Sequence, residues 1–291
     1  MAEVRCLWEA AATLGEGPLW SAREGALYWV DIKAPALHRY RPHDGDKTSW
    51  TMPEPIGWVI ERANGEGLVA GFKGRGFAFL TPGTMAPETI GQPEPDYPDN
   101  RFNDAKADAE GRIWAGTMDD NEREASGCLY RLDPDLDWHR VDKGYTVTNG
   151  PAFSPDHTTL YHTDTFEGAI YAFDLSPRGR LESKRVFATI PEGDGYPDGM
   201  TCDAEGYLWV AHWGGWRITR FAPDGSIDRV IEMPVSQVTS CTFGGPDLDR
   251  LYITSAAIGL DEDRLERQPL AGALFEIDPG VKGVPAGQFA G

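Results

Sequence analysis

The chain has 291 residues, enough for one large or two ordinary domains with a substantial buried core. Its 46 acidic residues outnumber its 27 basic ones, which gives a formal net charge of −19 at pH 7. A field of that sign repels nucleic-acid phosphates and anionic lipid, so we expect neither a nucleic-acid partner nor a membrane-surface role.

The cysteines and the N-terminal segment indicate the compartment. The four cysteines, Cys6, Cys128, Cys202 and Cys241, are widely spaced and form no C-x-x-C pair. Such spacing indicates reduced, packed thiols rather than a disulfide framework or a zinc site. The segment MAEVRCLWEA lacks the apolar stretch of a signal peptide, and no window of the chain approaches roughly 18 apolar residues. We therefore expect a cytoplasmic protein.

Six similar units follow one another along the chain. Each has an anchor position, a strand, a tight turn, a second strand and a third strand that ends near proline. The anchors, in order, are Glu16, Gly57, Asn103, Asn149, Asp198 and Ser240. Successive anchors are 41, 46, 46, 49 and 42 residues apart. A period in the forties, with about four strands in each unit, is typical of β-propeller blades.

The third unit shows the pattern most clearly, in the segment RFNDAKADAEGRIWAGTM at 101–118. It predicts a polar turn at Asn103-Asp104, a short strand, a tight turn at 108–111 and a second strand over 112–117. Glycine after acidic residues is a common turn former, so the hairpin alone is unremarkable. Its sixfold repetition is what predicts the fold.

We predict one all-β domain spanning residues 1–291, a six-bladed β-propeller of four-stranded blades. The fourth strand of the second unit, after Thr81, is poorly formed, and the C-terminal segment VKGVPAGQFAG contains no good strand. The segment VRCLWEAA at 4–11 stands where an outer strand is needed. We expect this N-terminal strand to complete the last blade, because ring closure removes the open sheet edges.

The antiparallel order of strands predicts where the anchors lie. All first strands start at the same mouth of the central channel, so Glu16, Asn103, Asn149 and Asp198 are expected there together. Taken singly, Asn149-Gly150 and Asp198-Gly199 are ordinary turn dipeptides. Two neighbouring carboxylates, however, repel each other unless a proton or a cation lies between them. A bound cation is the simplest solution.

The residue types at this mouth limit the choice of cation. Glu, Asp and Asn provide oxygen ligands, with no His or Cys in the set, which favours hard cations such as Ca²⁺, Mg²⁺ or Mn²⁺. Three protein ligands leave coordination positions open for water or substrate, as a catalytic metal requires.

The motifs GEGP, RFNDAKAD followed by GRIWAGTM, TNGP and PDGM carry a family resemblance. Over essentially its whole length the chain resembles the senescence-marker-protein/gluconolactonase (regucalcin-like) family of six-bladed propellers, and in particular bacterial sugar-acid lactonases of the xylono- or arabinono-lactone type. The resemblance implies that Glu16, Asn149 and Asp198 are metal ligands and that Asp198 also transfers the proton. It implies that Arg101 and Asn103 bind substrate. Family members are associated with calcium, zinc, manganese and iron, so the ion stays open.

One position departs from the family pattern. Related proteins can carry a substrate-contacting Glu shortly after the GTM segment, and here Asn121 stands at the aligned position. Asn121 is therefore the third predicted substrate contact, and its identity leaves the preferred sugar open.

The predicted function is hydrolysis of a sugar-acid lactone, of the aldonolactone, pentonolactone or gluconolactone type, to the aldonate. The cofactor is one divalent cation, with Ca²⁺ favoured by the ligand chemistry and Zn²⁺, Mn²⁺, Fe²⁺ or Mg²⁺ as alternatives. Either Asp198 or a metal-bound hydroxide starts the reaction. The small-molecule lactone is the expected partner, and we expect a monomer.

Two alternative functions use the same fold. A calcium-dependent arylesterase or phosphotriesterase needs a more apolar pocket than this sequence predicts. A non-catalytic calcium-binding propeller predicts metal binding without turnover and needs no substrate-facing Arg101.

Overall fold

The computed structural model describes residues 3–81 and 83–291. Within these residues the chain forms 24 strands, arranged as six four-stranded antiparallel sheets, and one short helix. The all-β, six-bladed propeller predicted from the repeat is therefore confirmed. The helix is too short and too polar to cross a bilayer, and the described residues contain no other.

In the first three blades the strands follow chain order from the channel outward. Their bounds are β2 (Gly15–Ser21), β3 (Ala26–Asp31), β4 (Ala36–Arg41) and β5 (Asp46–Thr51); β6 (Ile56–Glu61), β7 (Leu68–Phe72), β8 (Gly76–Leu80) and β9 (Pro87–Gly91); β10 (Asn100–Ala107), β11 (Ile113–Asp119), β12 (Gly127–Leu132) and β13 (Trp138–Tyr145). The presence of β9 corrects the expectation that the second blade has a poorly formed outer strand. Its leading proline fits an outer strand, because an edge needs no inward-facing N–H at its first residue.

The fourth and fifth blades repeat this order, and the sixth closes the ring. Their bounds are β14 (Thr148–Phe153), β15 (Thr159–Asp164), β16 (Ala169–Leu175) and β17 (Leu181–Thr189); β18 (Tyr196–Cys202), β19 (Leu208–Trp213), β20 (Arg217–Phe221) and β21 (Ile227–Glu232); β22 (Val238–Gly244), β23 (Arg250–Ser255) and β24 (Leu274–Ile277), with the helix α1 (Glu262–Arg267) inserted before β24.

The N-terminal strand β1 (Arg5–Trp8) supplies the outer strand of the sixth blade. It pairs antiparallel with β24, with Arg5 opposite Glu276 and Cys6 opposite Phe275. The Arg5 guanidinium also donates to the Glu276 carboxylate at 2.6 Å. The predicted closure is confirmed, over a shorter strand than the segment 4–11.

The core lies between adjacent blades rather than at the centre of the ring. The innermost strands β2, β6, β14 and β22 are buried along their whole length, whereas the outer strand β21 is mostly exposed. Tryptophans of several second strands, among them Trp29, Trp114 and Trp209, are fully buried. Burying large aromatic faces between sheets provides much of the driving force for folding.

Every innermost strand has a register irregularity at or beside its anchor. The shift lies between Phe102 and Ala105 in β10, and the other five first strands shift at the equivalent place. Asn103-Asp104 is thus a β-bulge inside β10 rather than a turn before it, which corrects the local prediction. A bulge places an extra residue against one partner and re-aims its side chain.

The C-terminal segment 281–291 contains no strand, as predicted, but it is well packed. The Phe289 amide donates to Glu61 O, and the Ala63 amide donates to Phe289 O, both at 2.8 Å. Phe289 itself is completely buried. Together with the Ala290 amide, which donates to Gly111 O at 3.1 Å, these bonds tie the chain end to the second and third blades.

Candidate active site

The inner strands of four blades meet around one cavity of about 420 Å³. Five of the residues singled out in the sequence line it together: Glu16, Arg101, Asn103, Asn149 and Asp198. Their side chains come from β2, β10, β14 and β18, so the sixfold register brings together residues as far apart in sequence as positions 16 and 198.

The two carboxylates are almost completely buried, with 3% of Glu16 and 5% of Asp198 exposed. Burial, with the charge of Asp104 as second cause, raises the pKa of Glu16 to about 8. Burial, followed by the charges of Glu16 and Asp104, raises the pKa of Asp198 well above its ordinary value. The positive charge of Arg101 lowers both pKa values but does not offset burial and the neighbouring carboxyls, so the protein compensates the pair only in part.

The hydrogen bonds of these carboxylates leave acceptor capacity unused. Glu16 Oε2 accepts from the Gly17 amide at 3.1 Å. Asp198 Oδ1 is buried and has no hydrogen-bond partner among the described residues. An ionised buried oxygen without a partner is costly, so a cation or a proton is needed beside it.

A directed chain of amide hydrogen bonds fixes the asparagines. Arg101 Nη1 donates to Asn103 Oδ1 at 2.6 Å, and Asn103 Nδ2 donates to Asn149 Oδ1 at 3.1 Å. Asn149 Nδ2 in turn donates to Thr165 Oγ1 at 2.8 Å, and this hydroxyl donates to Pro197 O at 2.9 Å. Because arginine can only donate and a carbonyl can only accept, the direction of the chain fixes both amide orientations.

The donor set suits a hard cation. The described residues contain no group of three or more His, Cys, Asp or Glu side chains placed to hold a metal ion. The candidate ligands are instead mixed, with the Glu16 and Asp198 carboxylates and the amide oxygen of Asn149. Oxygen-only sets of this kind suit Ca²⁺, Mg²⁺ or Mn²⁺, and the unpartnered Asp198 oxygen fits such a ligand.

Gly199 has a packing role beside the site. A β-carbon at this position would collide with Ser240 of the next blade. The glycine after Asp198 is therefore needed for close approach of two blades, beyond the turn-forming role that the dipeptide indicates by itself.

One wall of the mouth is a charged cluster centred on Asp120. Its Oδ1 accepts from Lys33 Nζ at 2.7 Å and from Arg101 Nε at 2.5 Å, and its Oδ2 accepts from Lys73 Nζ at 3.0 Å. Burial alone would raise the pKa of Asp120, but the hydrogen bond from Lys33 and the charge of Arg101 hold it well below its usual range. Arg101 is thus a fixed side chain rather than a mobile one.

The opposite wall is aromatic. Phe166, Tyr196 and Trp213 line it, from the fourth and fifth blades. Phe166 and Tyr196 lie outside the repeated segments, whereas Trp213 ends the second strand of the fifth blade and had no feature that marked it as a cavity residue.

Asn121 lies outside the cavity, whereas the next residue, Glu122, lines it. Asn121 is exposed and donates to Asp119 Oδ1 at 3.3 Å, whereas Glu122 lines the cavity. The role of Asn121 in substrate binding stays a prediction. Glu122, Lys33 and Thr165 are cavity residues that the sequence reasoning missed, although the last two lie in equivalent turns after second strands.

Comparison with known proteins gives the family. The family described as "SMP-30/Gluconolactonase/LRE-like region" matches residues 14–257. The chain is 37% identical to regucalcin of Xenopus laevis over 300 residues, covering 99% of each chain. It is 36% identical to L-arabinolactonase of Azospirillum brasilense over 282 residues, covering 96% of this chain and 93% of the relative.

A solved structure shows the same architecture. The structure described as the calcium-binding protein regucalcin from Agrobacterium tumefaciens superposes with a TM-score of 0.94 at 30% identity, covering 99% of this chain and 97% of that one. The chain belongs to the SMP-30/gluconolactonase/LRE-like family.

Proposed function

We propose that the protein is a divalent-metal-dependent hydrolase that opens a sugar-acid lactone to the aldonate. One observation carries the proposal: a buried and only partly compensated carboxylate pair, Glu16 and Asp198, shares a small cavity with the fixed donors Arg101 and Asn103. The similarity to an L-arabinolactonase supports hydrolysis of a lactone.

In this proposal Glu16, Asn149 and Asp198 hold the cation, and Ca²⁺ is favoured because every donor is oxygen. The regucalcin neighbour described as calcium-binding supports that choice without excluding Zn²⁺, Mn²⁺, Fe²⁺ or Mg²⁺. When bound, the ion supplies Lewis-acid polarisation of the lactone carbonyl and positive charge beside the two carboxylates.

Asp198 has the position and the environment of a general base. The Asp198 carboxylate accepts a proton from the water that attacks the lactone carbonyl carbon. When the ring C–O bond breaks, the same proton passes to the ring oxygen, which leaves as a hydroxyl. The net reaction adds one water and yields the open hydroxy acid. Burial raises the pKa of the metal-free Asp198 carboxyl, and a bound cation would lower it again, which keeps the carboxylate ionised and able to accept a proton.

Arg101 and Asn103 orient the sugar. The Arg101 Nε and Nη1 groups are already used, by Asp120, Asn103 and the Phe102 carbonyl. Its Nη2 has no protein acceptor among the described residues, so it is the group available to a substrate oxygen. A guanidinium held at two nitrogens loses little entropy when it binds, which is how preorganised donors gain affinity.

The experiment is a substrate panel on EDTA-stripped protein with single ions added back. The panel contains D-glucono-, D-xylono- and L-arabinono-lactone, an aryl acetate and an aryl phosphotriester, each corrected for spontaneous hydrolysis. The proposal predicts ion-dependent turnover of at least one aldonolactone. Turnover of only the aryl ester or phosphotriester contradicts it and supports an arylesterase or phosphotriesterase, and metal binding with no hydrolysis supports a non-catalytic propeller.

A further inference from the structure

A second, larger cavity adjoins the candidate active site. This groove encloses about 810 Å³ and lies over the fourth, fifth and sixth blades. Four residues line both spaces: Phe166, Tyr196, Trp213 and Gln237. The smaller cavity, at about 420 Å³, is within the range of about 300–1,000 Å³ that holds one small ligand. The groove therefore adds room beyond a single sugar ring.

The groove is lined by exposed aromatic side chains. Four aromatic residues are exposed in the described part of the chain, and three of them line it: Phe166 at 52%, Tyr196 at 50% and Trp216 at 43%. The Phe166 and Tyr196 rings are 6.4 Å apart between centroids. Apolar rings gathered beside a pocket favour a ligand that covers them.

The backbone at Trp216 adds to this argument. Its φ is +58°, in the left-handed region where bulky side chains are uncommon. Two backbone hydrogen bonds hold this conformation, since the Trp216 amide donates to Ser236 O at 3.3 Å and the Met233 amide donates to Trp216 O at 2.8 Å. They leave the indole itself 43% exposed. A ligand-binding role gives the indole a purpose that the fold alone does not.

Gln237 provides a polar contact at the junction of the two spaces. Its Nε2 donates to Ile258 O at 2.9 Å, which orients the amide because a carbonyl can only accept. Its Oε1 is buried and has no hydrogen-bond partner among the described residues, in a side chain only 8% exposed. A hydroxyl donor in the groove would satisfy this oxygen.

The charges in the groove balance. Glu167 and Glu192 contribute two negative charges, and Arg264 and Arg267 contribute two positive ones. A balanced lining selects neither an anion nor a cation. Aromatic faces, a fixed amide acceptor and balanced charges together suit a neutral ring with several hydroxyls.

We propose that this groove is a second sugar subsite and that the preferred substrates are lactones of glycosylated aldonic acids. The proposal rests on the proposed lactone hydrolysis and names its substrate class. The lactone ring lies in the smaller cavity beside Glu16 and Asp198, and the attached neutral sugar lies in the groove. One of its hydroxyls donates to Gln237 Oε1, and its C–H face packs against the aromatic rings.

The test compares maltobiono-1,5-lactone with D-glucono-1,5-lactone under identical metal-replete conditions. We expect kcat/KM of the wild type to be about tenfold higher for the glycosylated lactone, the gain that one additional aromatic contact provides. Trp216→Ala should reduce that ratio to about one, mainly through KM, and leave turnover of the monosaccharide lactone within about twofold. Trp216→Gly, which suits the positive φ, should do the same.

Tyr97→Ala is the matched control, because Tyr97 is equally exposed, at 52%, and lines neither cavity. Tyr97→Ala should leave kcat/KM unchanged for both lactones. Hydrolysis of the monosaccharide lactone with no preference for the glycosylated one, or a preference that Trp216→Ala and Trp216→Gly leave intact, overturns the subsite and leaves the proposed function standing.

A binding measurement tests the subsite independently of lactone hydrolysis. If no lactone is hydrolysed, calorimetric titration with maltobionate measures the groove directly. Binding that is lost in Trp216→Ala and kept in Tyr97→Ala supports the subsite, and absence of binding overturns it.

Discussion

The mouth of the channel has two unlike halves built on the same register. The turns after the second strands of the first three blades place Lys33, Lys73 and Asp120 in one ion-paired cluster. The equivalent turn of the fourth blade places Phe166 beside an open groove, and the end of the second strand of the fifth blade places Trp213 there. The repeated scaffold sets where side chains converge, and the unrepeated residues decide what they bind.

The largest expected effect concerns the cavity floor, formed by Glu16, Asn149 and Asp198, which both halves share. Asp198→Asn removes the proposed base and one ligand charge, so kcat/KM for the best aldonolactone should fall by about 10³-fold or more. Steady-state kinetics measure the loss, and circular dichroism checks the fold. Ser240→Ala, at the equivalent anchor of the sixth blade, is the control and should keep its activity. Full activity of Asp198→Asn would remove it from the mechanism.

The next effect tests the charged half. Asp120→Asn leaves Lys33, Lys73 and Arg101 without their common negative charge, so we expect a loss of about 2–4 kcal/mol in the free energy of unfolding. Urea unfolding measures it, and KM should rise because Arg101 loses its orientation. Asp174→Asn, which breaks an exposed pair with Arg185, should have no measurable effect. Equal effects of the two variants would show that the Asp120 cluster is ordinary surface charge.

The pH dependence of stability, measured without metal, tests the burial of Glu16 at the cavity floor. The pKa of Glu16 rises from 4.5 to about 8 on folding, chiefly through burial. The folded state therefore holds a proton that the unfolded state has lost, and this contribution to stability, complete below pH 4.5, disappears as pH rises towards 8.

We expect the thermal midpoint of EDTA-treated protein to fall across that pH window, and less steeply in Glu16→Gln. Saturating Ca²⁺ should flatten the decline in the wild type, because the ion replaces the proton. A wild-type profile identical to that of Glu16→Gln would contradict the burial of an only partly compensated carboxyl at this position.

The smallest effect tests redundancy within the charged half. Lys73 does not line the cavity, and Asp120 keeps Lys33 and Arg101 when Lys73 is replaced. Lys73→Met should therefore cost about 1 kcal/mol or less and leave KM within about twofold. A loss as large as that of Asp120→Asn would show that the three cations act as one unit.

The sequence contained enough to predict the ring and the convergence of its anchors. A repeat in the forties specifies the blade, and equal register specifies which ends meet, so Glu16, Asn149 and Asp198 could be grouped without coordinates. The N-terminal strand could be placed because the last blade lacked an outer partner.

Other features depend on contacts that no repeat encodes. β9 is a short outer strand led by Pro87 whose pattern is weak. Arg101 forms an ion pair with Asp120, and Asp120 also pairs with Lys33 of the first blade and Lys73 of the second. Tyr196 and Trp216 lie outside the aligned positions, so the aromatic groove had no sequence signal.

The central claim is that Glu16, Asn149 and Asp198 hold one divalent cation at the floor of the cavity. Anomalous diffraction from crystals grown with Mn²⁺ tests it most directly. The account predicts one strong peak bounded by the two carboxylates and the Asn149 amide oxygen, and no such peak in Asp198→Asn. A peak at another place, or the two carboxyls bonded to each other through a shared proton in metal-replete crystals, would contradict it.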